Sequence, residues 1–399
     1  MSKAADVNDT LRQQGDDAVR DRHDKAEPFN GKMSPPAALK LALDAFGRWL
    51  VLNDDTPILA ALGAVAANFL DGDPCWMGLI GPPSSAKTEI LNSTSRLPHM
   101  AQAATLTPAG LLSGTPKKQR AKGAAGGLLQ QLGSFGIIAL KDFGSLLSMR
   151  PDLKAETLAA LREVFDGAWT RHLGSDGGRT LEWRGKVGLI FASTSVIDSH
   201  YSIIGSLGDR FLFTRLKPVE AGQFKQAMKH AGSANARMRA ELAEAVEQLF
   251  AARKAEPQAI NTNEIERIDE VVSLAVKLRA SVERDRYSRE IEALHGAEGT
   301  ARLGLQLERL LAGLDVLGVE RRRALAVVES VALDSVPPLR RKAFEHLRDS
   351  KGEMVETAVV AAALGLPTIT VRRALEDLAA YGLVRRYAQG PGKPDLWAL

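Results

Sequence analysis

Eight residues constrain this chain more than any others. Gly81 to Thr88, GPPSSAKT, sit between the apolar run Trp76-Met77-Gly78-Leu79-Ile80 and a helix-forming stretch from Glu89 to Ser95. The spacing is that of a Walker A phosphate loop, G-x-x-x-x-G-K-[ST], with Ala86 in place of the second glycine. A tight loop between a buried strand and a helix N-terminus turns successive backbone N–H groups toward one point, where the helix dipole also favours an anion. In that arrangement Gly81, Pro82, Pro83, Ser84, Ser85, Ala86, Lys87 and Thr88 wrap a phosphate chain. Lys87 reaches the β/γ-phosphates and the Thr88 hydroxyl holds Mg²⁺. The plainer reading is a surface turn that carries a lysine and a threonine, and the elements downstream weigh against it.

A chain of 399 residues is long enough for two or three domains. Apolar residues at 45% and charged ones at 25% exclude wholesale disorder and a membrane class. One cysteine, Cys75, excludes internal disulfides and a Cys-rich zinc site, which suits a reducing compartment. With no signal-like start and no run of about 18 apolar residues, the expectation is a soluble cytoplasmic protein without a membrane partner.

Residues 1–33 are polar and nearly free of aromatics, the composition of a disordered leader. Helical spacing then runs from Ala37 to Leu50. Thr56-Pro57 reads as a cap followed by proline at the first helical position of a second helix, ending near Leu70. Past the loop helix, Thr107 to Leu112 leads into a basic, glycine-rich stretch, Ser113 to Gly127. It reads equally as a solvated loop or as a contact to nucleic-acid phosphates through Lys117, Lys118, Arg120 and Lys122.

The run Gly136 to Leu140 reads as a central parallel strand ending in Lys141-Asp142-Phe143. A carboxylate at such a strand end lies beside the phosphate loop, where it holds the Mg²⁺ shell or orients water; the alternative is an acid that merely closes a buried strand. An amphipathic helix, Ala155 to Phe165, precedes a predicted β-hairpin, Trp169 to Leu173 and Arg179 to Trp183-Arg184, with a turn of Gly174 to Gly178. A third strand, Val187 to Ala192, ends in Ser193-Thr194-Ser195, and Thr194 at its tip is placed to sense a γ-phosphate. Gly208-Asp209-Arg210-Phe211 opens a fourth apolar segment. Arg210 there reads either as a surface ion-pair former or as a guanidinium offered to a neighbouring subunit's γ-phosphate.

The order of these parts resembles the AAA+ ATPases, and within them the minichromosome maintenance (MCM)-like helicase branch. The resemblance spans residues 76–216. It rests on GPPSSAKT, the TPAGLLSG segment, the Gly126-Gly127 pair before the strand GIIAL, a hairpin before the third strand, Thr194 at the sensor 1 position, and DRF with Arg210 as finger. It implies an α/β P-loop NTPase core of parallel sheet and flanking helices, binding of ATP and Mg²⁺, and a catalytic set of Lys87, Asp142, Thr194 and Arg210 with Thr88 and Asp142 on the metal. It also implies a homo-oligomeric, hexameric ring on DNA, with other replication proteins as further partners. The pore elements would be Ser113 to Gly127 and the hairpin carrying Arg171, His172, Arg179 and Arg184. Two departures stand out. The family's Walker B ends in Asp-Glu-Phe where this chain has Lys141-Asp142-Phe143, and Thr194 replaces the usual, longer Asn. The compact chain suggests a phage or mobile-element replication system.

Residues 218–335 read as helices: Ala234 to Ala255, Asn263 to about Arg284, Thr300 to Leu317 and Arg321 to Leu333. They are expected to form a helical lid and connector after an ATPase core of residues 34–217. Arg302 there is either a sensor 2 arginine contacting nucleotide or one more residue of a solvated face. Residues 336–399 read as a separate winged helix-turn-helix, joined by Ser335-Val336-Pro337-Pro338: helices from Pro337 to Arg348, Thr357 to Leu364 with a threonine cap, and Thr368 to Tyr381, then strands flanking a Gly/Pro-rich wing. Thr368, Thr370, Arg372 and Arg373 lie at the end of the third helix that would enter a major groove, with Arg385, Arg386 and Lys393 on the wing side. Such domains bind DNA or dock proteins, and the basic residues favour DNA.

Overall fold

The structure is a computed structural model that describes residues 33–115, 126–174, 178–200, 210–218, 234–294, 296–390 and 393–399. The expected leader, the four basic residues Lys117, Lys118, Arg120 and Lys122, and the hairpin turn Ser175 to Gly177 lie outside them.

Residues 34–399 form one compact unit. In chain order its elements begin with helices α1 (Pro35–Trp49) and α2 (Thr56–Asn68), strand β1 (Trp76–Ile80), α3 (Lys87–Ser93), β2 (Met100–Ala103), α4 (Pro108–Leu111), α5 (Leu128–Leu132) and β3 (Phe135–Leu140). Then come α6 (Gly144–Leu147), α7 (Pro151–Phe165), the hairpin β4 (Ala168–Leu173) and β5 (Arg179–Arg184), β6 (Lys186–Ser193), a 3₁₀ turn (Ser195–His200) and β7 (Phe211–Arg215). Helices α8 (Ala234–Ala252) and α9 (Thr262–Arg279), the hairpin β8 (Val282–Arg284) and β9 (Ile291–Leu294), α10 (Thr300–Val316) and α11 (Arg321–Asp334) follow. Last are α12 (Pro338–Asp349), β10 (Val355–Glu356), α13 (Thr357–Leu364), α14 (Thr368–Ala380), β11 (Arg385–Tyr387) and β12 (Leu396–Ala398).

Five strands form one parallel sheet in the order β2-β3-β6-β1-β7. Every residue of β1 is buried, as is all of β3 beyond Phe135, as expected of strands covered on both faces. Strand β2 had no counterpart in the sequence reading. MAQA is too short and too polar to announce a strand, and only its pairing with Met100 opposite Ile137 makes it one.

Helix α2 is buried along almost its whole length because its small residues let α10 come close. A Cβ on Gly313 would lie 2.0 Å from the Gly63 carbonyl, so two backbones meet where only glycine fits. Arg309 of α10 closes the C-terminal end of α2, its guanidinium donating to the carbonyls of Ala67, Leu70 and Asp71. Asn68 ties that end to the sheet, donating to the Cys75 carbonyl and accepting from the Cys75 N–H at 2.8 and 2.9 Å. At the other end the cap differs from the expected one. Thr56 is already the first helical residue, and its N–H donates to Asp54 Oδ1 at 3.0 Å.

The helices expected as a lid are built into this core. On the edge strand β7, the outward N–H groups of Phe213 and Arg215 donate to Ser335 Oγ and Asp334 Oδ2 at 2.9 and 2.8 Å. The end of α11 therefore closes an edge that would otherwise be open to pairing. The long helix expected from Asn263 to Arg284 stops at Arg279, and the chain turns back as the β8–β9 hairpin.

The last 60 or so residues pack three helices on an antiparallel sheet of order β10-β12-β11. Helices α13 and α14 meet at 112° across Gly365-Leu366-Pro367. Thr357 does not cap α13 as expected; its hydroxyl accepts from Trp397 Nε1 at 2.8 Å, inside the core of this unit. Nor is the unit loosely joined. Arg341 pairs with Asp334 at 2.6 Å, Arg340 bonds the carbonyls of Leu278 and Ala280, and Tyr381 bonds the Ser281 carbonyl at 2.7 Å.

Candidate nucleotide site and basic surfaces

Because the sheet is parallel, the C-terminal ends of β1, β3, β6 and β7 open at one edge. Register sets what meets there. Ile80 stands between Ser193 and Arg215, and the Phe143 N–H donates to the Ala192 carbonyl at 2.8 Å. The loop 81–86, Lys141-Asp142, Thr194 and Arg215 thus share one end, with β6 separating the strand of the loop from the strand of Asp142.

The loop has left-handed backbone at Ser84 (φ 62°) and Ala86 (φ 65°). Ala86 occupies the position where the pattern asks for glycine, and the conformation there explains the preference: a left-handed residue must precede the turn into α3. Gly81 is required by space, since a Cβ would lie 2.8 Å from Ser85 Oγ and 3.0 Å from Leu216 Cβ. Pro82 and Pro83 have no N–H, so any backbone cradle must come from Ser84 to Thr88, including the first helical turn whose N–H groups lack intrahelical acceptors.

Lys87 folds back over the loop. Its ammonium donates to the carbonyls of Gly81 and Pro82 at 2.8 and 2.5 Å and to Ser85 Oγ at 3.0 Å. Burial lowers its pKa, and the nearby Asp142 carboxylate acts in the opposite sense. Asp142 and Thr88 are exposed and Thr194 is half-buried. Asp142 Oδ1 accepts from the Gly144 N–H at 2.8 Å, which holds the carboxylate at the strand tip. Among the described residues no three His, Cys, Asp or Glu side chains gather as a metal site. A divalent cation beside the loop would therefore take few protein ligands, the Thr88 hydroxyl and the Asp142 carboxylate, as magnesium bound through phosphates does.

Two features of this end had no signal in the local sequence. Arg215 is held bidentately by Asp198 at 3.0 and 2.7 Å, which fixes the 3₁₀ turn after Thr194 against β7. Arg239 of α8 clasps Glu89 of the loop helix at 2.7–3.2 Å. The partners lie 17 and 150 residues apart in sequence, and only the register of β7 and the packing of α8 bring them together.

Two assigned residues lie elsewhere. Arg210 precedes β7 at the opposite end of the sheet, buried, with both Asp166 oxygens at 2.9 and 2.7 Å and the Phe165 ring 5.3 Å beneath it. Arg302 lines a cavity of about 550 Å³ with Asp166, Arg309 and Gly72 to Pro74, so it does not reach the phosphate loop of its own chain.

The β4–β5 hairpin is divided by its pleat. Trp169 pairs with Trp183, both are buried, and Trp183 Nε1 donates to the Gly133 carbonyl at 2.7 Å. The aromatic residues therefore anchor the hairpin. Arg171 and Arg179 share that face, and Arg171 donates to the Leu112 carbonyl at 2.8 Å. His172 and Arg184 are on the exposed face. The Ser113 to Gly127 stretch closes at its base through Ser113 N–H to the Gly126 carbonyl at 2.8 Å, and Gly114 abuts Leu173 of β4. The base of the Ser113 to Gly127 stretch thus lies against the turn end of the hairpin.

In the C-terminal unit Thr368, Arg372, Arg385, Arg386 and Lys393 are exposed, and Thr370 and Arg373 half-buried. Arg372 and Arg386 converge on Glu376 and Asp395 at 2.9–3.9 Å.

No protein-family model matches the chain, and no curated protein matches it. Solved structures similar to it include two apo structures of the NrS-1 C-terminal region, at TM-scores of 0.31 and 0.29 and 13% identity, with 94% of this chain and 78% and 77% of those chains covered.

Proposed function

We propose that the chain is an ATP-dependent DNA motor, an MCM-like helicase acting as a ring. The observation that carries this reading is the convergence of Lys87, Thr88, Asp142 and Thr194 at one end of a parallel sheet around a left-handed loop. Bound magnesium would supply positive charge to the phosphates. Lys87 would exchange its three neutral oxygen acceptors in the loop for the β/γ-phosphates, whose negative charge makes the stronger acceptors. Asp142 would accept from the attacking water and Thr194 would position the γ-phosphate. On the DNA side, the 112° angle across a three-residue turn containing glycine is that of a helix-turn-helix, with α14 as the helix offered to a groove.

A second reading, an ATP-switched DNA-binding loader or regulator that does not unwind, is favoured by Lys141-Asp142. A single carboxylate would have to serve both metal and water. The two are separated by comparing ATP binding, DNA-stimulated hydrolysis and strand displacement for wild type, Lys87→Ala and Asp142→Asn. The motor reading expects lost binding in the first variant, retained binding without hydrolysis in the second, and strand displacement by wild type only. Nucleotide binding without unwinding by wild type selects the switch, and unchanged ATP affinity in Lys87→Ala refutes both.

A further inference from the structure

The β8–β9 hairpin is fixed to α14. Arg284 donates to Glu376 Oε2 and Asp377 Oδ1 at 3.0 and 2.6 Å and to the Arg373 carbonyl at 2.9 Å, while Arg340 holds the other oxygen of Asp377 at 2.9 Å. Between hairpin, helix and β11 lies an open cleft of about 640 Å³. Its walls carry Arg284 and Arg289 from the hairpin, Arg372 and Arg373 from α14 and Arg386 from β11, against Glu290 and Glu376. Glu376 is already shared by Arg284 and Arg372. Among the described residues, the side chains of Arg289 and Arg373 make no ion pair.

At the hairpin tip Asp285 Oδ1 accepts from the N–H groups of Tyr287 and Ser288 at 2.8 and 2.5 Å, and Arg289 adopts left-handed backbone (φ 62°). The turn is thereby held with Tyr287 projecting from it, 90% exposed, and among the described residues its ring stacks on no other ring. Arg286 beside it is also exposed. A positively charged groove next to a solvent-facing aromatic ring is the combination that binds single-stranded nucleic acid, the cations tracking phosphates and the ring stacking on a base.

We propose that this cleft is a single-strand nucleic-acid site in which Arg289 and Arg373 hold the phosphodiester backbone, Arg286 flanks it and Tyr287 stacks on an unpaired base. Within a duplex the interior base faces are covered by their neighbours, whereas every base of a single strand can offer a face, which is why the strand is single. The proposal deepens the DNA-motor reading and rests on it. It adds a contact that the helix-turn-helix expectation does not contain, on a hairpin outside that unit.

The test uses the full chain and fluorescein-labelled oligonucleotides, with anisotropy read at several salt concentrations. Arg286, Tyr287 and Arg289 are exposed, and a thermal melt confirms that the variants fold. Tyr287→Ala should weaken single-strand binding about tenfold and leave blunt duplex binding unchanged, and Tyr287→Phe should restore it. Arg286→Ala with Arg289→Ala should flatten the log–log salt slope for the single strand by about 1.4. If wild type binds DNA and these variants match it in affinity and slope, the cleft proposal is overturned while the motor reading stands. Equal losses on duplex and single strand would overturn the stacking role. Absence of any DNA binding by wild type would end both.

Discussion

Arg210 donates to both carboxylate oxygens of Asp166, at 2.9 and 2.7 Å, from a site where the arginine side chain is 8% and the aspartate 54% exposed. A guanidinium so placed is part of the wall between α7 and β7. To serve a neighbouring subunit it would have to exchange one carboxylate for another anion.

Replacing Arg210 by alanine is therefore expected to cost stability as well as any function in trans, roughly 1–3 kcal/mol, since the ion pair and the packing on Phe165 go together. Chemical denaturation measures the first. Mixing Arg210→Ala subunits with Lys87→Ala subunits measures the second: a finger restores part of the ATPase at mixed interfaces, and a purely structural arginine restores none.

Ala86→Gly is expected to stabilise the chain. Left-handed backbone at an alanine costs about 1–2 kcal/mol, while the extra chain entropy of glycine takes back about half of that. A net gain of roughly 0.5–1 kcal/mol should appear in denaturant titrations, and a loss would mean the loop is not left-handed at this position.

Glu264 caps α9 and accepts from Arg321 on both oxygens at 2.7 and 2.8 Å, which holds its carboxyl at about 2, below the ordinary 4.5. The folded chain thus binds this proton less readily than the unfolded one. The contribution is whole above about pH 4.5 and is lost as pH falls toward 2. Glu264→Gln should therefore be less stable than wild type at pH 7, and the gap should close on acidification. A gap that stays constant with pH would contradict the ion pair.

Cys75 has no exposed surface, and burial pushes its thiol up to about 12. It should resist Ellman's reagent at pH 8 in the native chain and react stoichiometrically once urea unfolds it. Native and unfolded rates that agree would place Cys75 at the surface.

The parallel strands β1, β3, β6 and β7, the loop between β1 and α3 and the long helices were legible in the sequence because each is a local pattern. An apolar run, a loop of fixed spacing and a helical period of apolar residues need no partner to be recognised. The same holds for the placement of Lys87, Thr88, Asp142 and Thr194, which follows from standing at the ends of such elements. Strand β2 and the β8–β9 hairpin were not legible. Their residues are polar or short, and they become strands only by pairing. The fate of the arginines was decided by tertiary structure alone. Arg210, Arg215, Arg284, Arg309 and Arg340 carry the same charge in the sequence, yet each is spent on an acid or a carbonyl tens to hundreds of residues away. Arg289 and Arg373 are left facing a cleft. A guanidinium has no local signature of its partner, because it is long enough to reach across elements and its energy depends on the burial and geometry of whatever it meets there.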